Sequence, residues 1–188
     1  MGVSGAHPLH LVRHARPLVP PGICYGRTDV PADPTATAQA ASRLAATLPN
    51  GAWVFSSTLC RATALADQLH RARPDLQRGG ADLRLNEMDF GSWEMQAWDA
   101  IGADALATWT AAFATHRCGG GESTQAVLDR VGSALQDLRA PSAPTVWITH
   151  GGVISAVRCL QSPATGPLQA DRWPPAAVAW GASWVLAG

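Results

Sequence analysis

Residues 9–17 read Leu9-His10-Leu11-Val12-Arg13-His14-Ala15-Arg16-Pro17. Leu9, Leu11 and Val12 make a short apolar run of the kind that becomes a buried strand, and it ends abruptly in a cation and an imidazole. In an open α/β sheet, ligands bind just outside the carboxyl ends of the strands, so Arg13 and His14 stand where a site is expected. Taken alone, the pair has an equally ordinary reading as a salt-bridged arginine beside a hydrogen-bonded histidine. The rest of the chain must decide.

Working outward, a loop rich in turn formers (Pro17, Pro20, Pro21, Gly22, Gly26, Asp29, Pro31) suits the wall of a cleft. Asp33-Pro34 is a helix start, with Asp at the N-cap and Pro at the first helical position. The helix is predicted to run to about residue 48, with Ala38, Ala41, Leu44, Ala45 and Leu48 facing inward. A second buried strand is predicted over 52–55, and Ser56-Ser57-Thr58 reads as the cap of a helix to about residue 72. Arg61 falls in that helix's first turn. Residues 74–82 read as a polar connection and 83–85 as a short edge strand, leading to Asn86-Glu87-Met88-Asp89-Phe90-Gly91-Ser92-Trp93-Glu94.

Residues 97–115 predict one or two helices, and the three glycines of 118–121 a turn or flexible loop. Ser123 or Thr124 caps a helix to about Arg139, with Val127, Leu128, Val131 and Leu135 inward. A third strand over 145–149 delivers His150, Gly151-Gly152 open a helix to about residue 160, and 178–186 reads as a last strand. This alternation, with strands that are apolar on both faces, predicts a three-layer α/β/α sandwich around a mostly parallel sheet, as a single domain spanning 1–188. His14, Arg61 and His150 then each lie just past a strand, along one sheet edge.

Composition narrows the chemistry. The 188 residues carry 14 basic and 14 acidic side chains, and a neutral chain without a basic stripe speaks against a nucleic-acid partner. There is no lysine, so any anion site must be built from arginine and histidine, and P-loop or Schiff-base chemistry is excluded. Cys24, Cys60, Cys118 and Cys159 lie far apart, without zinc-site spacing. That pattern fits a reducing cytosol, and no metal or other cofactor is expected. No apolar run approaches the roughly 18 residues of a membrane span and no signal peptide is evident, so a cytoplasmic protein without membrane partners is expected.

Two histidines and two arginines without metal-ligand spacing suit the holding and attacking of a phosphate. Arginine forks match phosphate oxygens, and glycines at a helix N-terminus add backbone donors and the positive end of the dipole. A neutral imidazole can attack phosphorus to give a phosphohistidine, after which an acid that protonated the leaving oxygen serves as base for water.

Four segments carry a resemblance. Leu-Val-Arg-His-Ala at 11–15, Ser-Ser-Thr-Leu-Cys-Arg-Ala-Thr at 56–63, Leu-Asn-Glu-Met-Asp-Phe-Gly-Ser-Trp-Glu at 85–94 and Ile-Thr-His-Gly-Gly-Val-Ile at 148–154 occur in that order. Together they resemble the histidine phosphatase, or phosphoglycerate-mutase-like, superfamily. The resemblance implies His14 as nucleophile, Arg13, Arg61 and His150 as the phosphate pocket with Gly151 at its helix start, and Glu87 as general acid. Gly26-Arg27-Thr28-Asp29 is similar to the family's loop after the nucleophile, making Arg27 a possible substrate contact.

Within the family, the 85–95 segment, with Gly121-Glu122, Gln125-Ala126 and Arg130-Val131, looks most like α-ribazole phosphatases of cobalamin synthesis. That implies a small phosphomonoester substrate, α-ribazole 5′-phosphate, and a monomer or homodimer. Two positions depart: the family's glycine after the nucleophile is Ala15, and its asparagine six residues after the nucleophile aligns with Pro20, which has no N–H to give. Alternatives are a broad-specificity phosphatase, a phosphoglycerate mutase, a protein phosphohistidine phosphatase and a catalytically silent phospho-ligand-binding domain. The mutase is disfavoured, because residues 95–121 offer only His116 and Arg117 as extra cations.

Overall fold

The structure is a computed structural model describing residues 7–138, 143–162, 166 and 168–187. Its sheet has the order β3-β2-β4-β1-β5. Strands β1 (Leu9–Arg13), β2 (Trp53–Ser56), β3 (Gln77–Ala81) and β4 (Thr145–Thr149) run parallel, and β5 (Ser183–Leu186) pairs antiparallel with β1. Helices α1 (Pro34–Thr47) and α2 (Cys60–Ala72) cover one face. Helices α5 (Thr124–Asp137) and α6 (Gly151–Leu160) cover the other. Helices α3 (Trp98–Ile101) and α4 (Ala103–Ala111), separated at Gly102 with φ +91°, occupy the 97–115 stretch.

The three-layer expectation holds, and the pleat shows how. Leu9, Leu11 and Trp147 belong to the apolar core under α5 and α6, while Val12, Val54, Val146 and Ile148 belong to the core under α1 and α2. Strand β4 is wholly buried, as a central parallel strand must be.

Several local expectations are corrected. Residues 77–81 form β3 rather than a polar connection, since the free edge of β2 supplies the ladder that their sequence does not advertise. Gly79 suits that edge, because a Cβ there would meet the Phe55 ring at 2.6 Å. Leu83–Leu85 is a 3₁₀ turn and not a strand, since the Asp82 carboxylate accepts the Arg84 N–H at 2.8 Å and curls the chain. Along α1, Ala38 is exposed while Thr37 and Ala40 are buried, the Thr37 hydroxyl being satisfied by the Asp33 carbonyl at 2.7 Å.

Leu59, not the Ser56–Thr58 run, caps α2; its own side chain has nothing to offer the helix end, and the Asp29 carboxylate accepts the Cys60 N–H at 2.7 Å instead. The last strand is shorter than 178–186, because Gly181 at φ +70° turns the chain so that its N–H reaches the Arg13 and His14 carbonyls at 3.0 and 3.1 Å. The Arg139 end expected for α5 lies outside the described residues. No helix among the described residues is long and apolar enough to cross a membrane.

Candidate active site

The site follows from register. Arg13 of β1 lies opposite Thr149 of β4, so the next residues, His14 and His150, leave the sheet side by side. The His14 N–H donates to the Thr149 carbonyl at 2.9 Å, and the two imidazole centroids lie 5.0 Å apart. After β1 the chain passes to α1 on one face; after β4 it enters α6 on the other. A crevice opens where neighbouring strands diverge in this way. The 3₁₀ turn adds Glu87 from below: the Thr149 hydroxyl donates to the Leu85 carbonyl at 2.7 Å, two residues before it.

His14 is 2% exposed. Its Nδ1 lies 2.6 Å from the Ala15 carbonyl, and since a carbonyl only accepts, the ring proton sits on Nδ1 and the Nε2 lone pair is free. Burial, joined by the Arg61 and Arg13 charges, lowers its pKa to about 3, against the partial compensation of the Ala15 hydrogen bond. His14 is therefore a neutral, correctly tautomeric nucleophile at physiological pH. His150 is fully buried, and burial first, then the His14 and arginine charges, holds it well below its ordinary value. Its Nε2 lies 2.7 Å from the Ser57 hydroxyl. When Ser57 donates that bond, His150 carries its proton on Nδ1, a buried nitrogen without a partner among the described residues.

Arg61 is fully buried. Asp67 takes no part in holding it, lying instead 3.9 Å from Arg78. Arg61 donates to the Thr28 carbonyl at 2.9 Å and the Gly26 carbonyl at 2.6 Å, with the Tyr25 ring centroid 5.5 Å from its guanidinium carbon. Arg13 donates to the Val178 carbonyl at 3.1 Å and packs over Trp180 at 5.2 Å. Both guanidiniums keep a buried Nε without a partner among the described residues. Buried unpaired donors of positive charge are costly unless an anion answers them. A phosphoryl group supplies both the anion for the arginines and the electrophile for the neutral imidazole beside them.

Glu87 is anchored at the N-terminus of α6. Its Oε2 accepts the Gly152 N–H at 3.0 Å and its Oε1 the Met88 N–H at 3.0 Å. Gly152 leaves the room: a Cβ there would collide with the Glu87 carboxylate. Gly151 stands beside Arg13, its notional Cβ 3.7 Å from Arg13 Nε. The nearby acids are otherwise engaged. Glu94 accepts the N–H groups of Arg27 at 2.8 Å, Thr28 at 2.6 Å and Phe90 at 3.0 Å, as well as the Thr28 hydroxyl. Asp89 accepts the Gly91 N–H at 2.8 Å.

The structure thus brings His14, Arg13, Arg61, His150, Gly151 and Glu87 to one crevice. Arg27 is exposed, on the rim of a cavity that Glu87 also borders, with Asp89 3.4 Å from its guanidinium. Ser57, Tyr25 and Trp180 carry no signal in the sequence: a serine before a helix reads as a cap, and the aromatic partners come from loops without periodicity. The two departures also find their places. Ala15 is buried and has no positive φ, so a methyl group costs nothing there, while Pro20 is exposed on the neighbouring groove.

Residues 9–178 match the histidine phosphatase superfamily (branch 1). The chain belongs to that family. Among solved structures it is similar to the protein TTHB049 from Thermus thermophilus, with 31% identity, 95% of this chain and 92% of that chain covered, and a TM-score of 0.71. A phosphoglycerate mutase from the same organism has 31% identity, the same coverage and a TM-score of 0.70. Mycobacterial hydrolase 2 has 25% identity, with 98% of this chain and 83% of that chain covered, and a TM-score of 0.74. No curated protein matches the chain. Membership of the histidine phosphatase superfamily is consistent with phosphatase or mutase activity.

Proposed function

We propose that the protein is a phosphomonoesterase that works through a phosphohistidine on His14 and needs no metal. The observation that carries this reading is the neutral His14, with Nε2 free, beside the buried Arg61 and the half-buried Arg13, whose buried Nε donors lack partners among the described residues. In the first step Nε2 attacks phosphorus, the bond to the ester oxygen breaks, and Glu87 gives that oxygen its proton. Arg13, Arg61, His150 and the Gly151 N–H hold the phosphoryl oxygens. In the second step the Glu87 carboxylate takes a proton from water, which attacks phosphorus and frees His14 and phosphate.

α-Ribazole 5′-phosphate is the preferred substrate on this reading, supported by the likeness of the 85–95 and 121–131 segments, with broad small-molecule phosphatase activity as the alternative. The mutase reading has one observation in its favour, the 31% identity to a protein named phosphoglycerate mutase. Against it, residues 95–121 bring an aromatic cluster and a single arginine, Arg117, whose Nε donates to the Gly121 carbonyl at 2.7 Å.

The test combines trapping with a substrate panel. Labelled phosphomonoester quenched in alkali is expected to leave label on His14, undiminished by EDTA; label that persists in His14→Ala overturns the mechanism. Turnover of α-ribazole 5′-phosphate, phosphoglycerates and nucleotides is compared side by side, and equal slow rates on all of them remove the α-ribazole assignment.

A further inference from the structure

Phosphate chemistry accounts for the arginines and histidines but not for what lies beyond Glu87. In an in-line displacement the leaving oxygen sits on the far side of phosphorus from His14, within reach of the acid, so the organic part of the substrate extends from Glu87. Glu87 borders two cavities. The first is rimmed by Arg27, Arg84 and Arg130, each already answered by a carboxylate: Asp89 at 3.4 Å, Asp82 at 2.8 Å with Asp137 at 2.6 Å, and Glu122 at 2.9 Å. Cations engaged in this way make a poor receptor for a further anion.

The second cavity, of about 170 Å³, is walled by Phe90, Trp109, Phe113 and Trp173, with Glu87 and Gly152 at its edge and no cation in its lining. Trp109 is its hub, with ring centroids of Phe113 at 5.5 Å, Trp93 at 6.0 Å, Phe90 at 6.1 Å and Trp98 at 6.5 Å. Phe113 continues the wall to Trp173 at 5.9 Å. The Trp109 indole nitrogen and the hydroxyl of Thr124, a lining residue only 1% exposed, are buried without partners among the described residues. Ordinary core packing leaves few such groups. An apolar cavity of about 150 Å³ takes up benzene, so this one has the volume of a single ring.

We propose, building on the phosphomonoesterase reading, that this cavity receives one ring of the leaving group and that the favoured substrates are phosphate monoesters of alcohols ending in a planar, largely apolar ring system. A carboxylate, as in a phosphoglycerate, meets no positive charge there. Trp109 and Phe113 are then specificity-determining residues, and Glu87 stands at the junction between ring and phosphorus.

The test compares kcat/KM for benzyl phosphate and n-propyl phosphate, whose alcohols differ in the ring more than in leaving ability. The full-length enzyme is expected to favour the benzyl ester on the order of 10- to 100-fold, the range that burial of the additional apolar atoms supports. In Trp109→Ala the ratio is expected to fall toward one, read as a ratio so that a general loss of rate does not count. Phe113→Leu, a milder change, is expected to lower it several-fold and serves if Trp109→Ala does not fold. Equal kcat/KM for the two esters in the unmodified enzyme, with phosphohistidine still trapped on His14, overturns this inference and leaves the phosphatase reading intact. No turnover and no phosphohistidine overturns that reading, and the inference with it. A ring preference that survives both substitutions but disappears in Trp180→Ala puts the leaving group in the groove lined by Pro20, Ile23 and Tyr25, and also overturns it.

Discussion

Gly152 and Glu87 occupy one another's space: the carboxylate rests where a side chain at 152 would stand, bonded to that residue's N–H at 3.0 Å. A methyl group at 152 therefore displaces the proposed acid rather than the helix. Gly152→Ala is expected to lower kcat about 100-fold, the scale set by misplacing a catalytic group by an ångström. The loss is expected to be largest for alkyl phosphates and smaller for 4-nitrophenyl phosphate, whose leaving group needs little protonation. Gly151→Ala, whose Cβ has 3.7 Å to its nearest neighbours, is expected to lose less. Equal losses for the two ester types in Gly152→Ala would mean that the methyl disturbs the phosphate pocket instead of the proton donor.

At the scale of elements, a loop is held for the sake of one arginine. Glu94 gathers the N–H groups of Arg27, Thr28 and Phe90, and the loop so fixed presents the Gly26 and Thr28 carbonyls to Arg61. Glu94→Ala strands these donors, at roughly 1–3 kcal/mol for any that stays buried and unpaired. A destabilisation of about 3 kcal/mol in urea unfolding is expected, together with a raised KM as Arg61 loses its seat. An unchanged KM would show that Arg61 is positioned by its own helix alone.

The strands that build the crevice were legible because buried parallel strands are rich in apolar residues, and Leu9, Leu11 and Val12 in one and Val146, Trp147 and Ile148 in the other supply them. The residues after them were legible because charge does not belong at the end of an apolar run without cause. The strand β3 was not, since Gln77-Arg78-Gly79-Gly80-Ala81 has no apolar period and pairs only because β2 offers an edge. Nor was the role of Ser57. A serine before a helix looks the same in sequence whether its hydroxyl caps the helix or crosses 93 positions to His150. The resemblance singles out Glu87, but residue type alone does not separate it from the neighbouring acids Asp89 and Glu94. What separates them is which backbone amides each one meets, a tertiary property.

For the molecule as a whole, the site costs stability in acid, and the sign follows from the pKa directions. His14, lowered to about 3, and His150, held well below its ordinary value, refuse protons that the unfolded chain binds from about pH 6.5 downward. In that window the unfolded state carries more protons, so the stability is fully present above pH 6.5 and falls as the pH drops toward the folded values. Each histidine contributes a slope of about 1.4 kcal/mol per pH unit once well inside the window. The bonded carboxylates Asp33, Asp75 and Asp82, also lowered, add losses in the same direction but at lower pH, around their ordinary carboxylate values. Between pH 6.5 and about 4.5 the histidines therefore dominate. Urea unfolding at one-unit intervals across this range is expected to show the decline, and His14→Asn to remove about one proton's worth of slope. Saturating inorganic phosphate, bound between Arg13 and Arg61, is expected to flatten it further, because an anion beside the imidazoles favours their charged forms. A slope unchanged by His14→Asn would mean that His14 is not the buried neutral imidazole on which the nucleophilic mechanism depends.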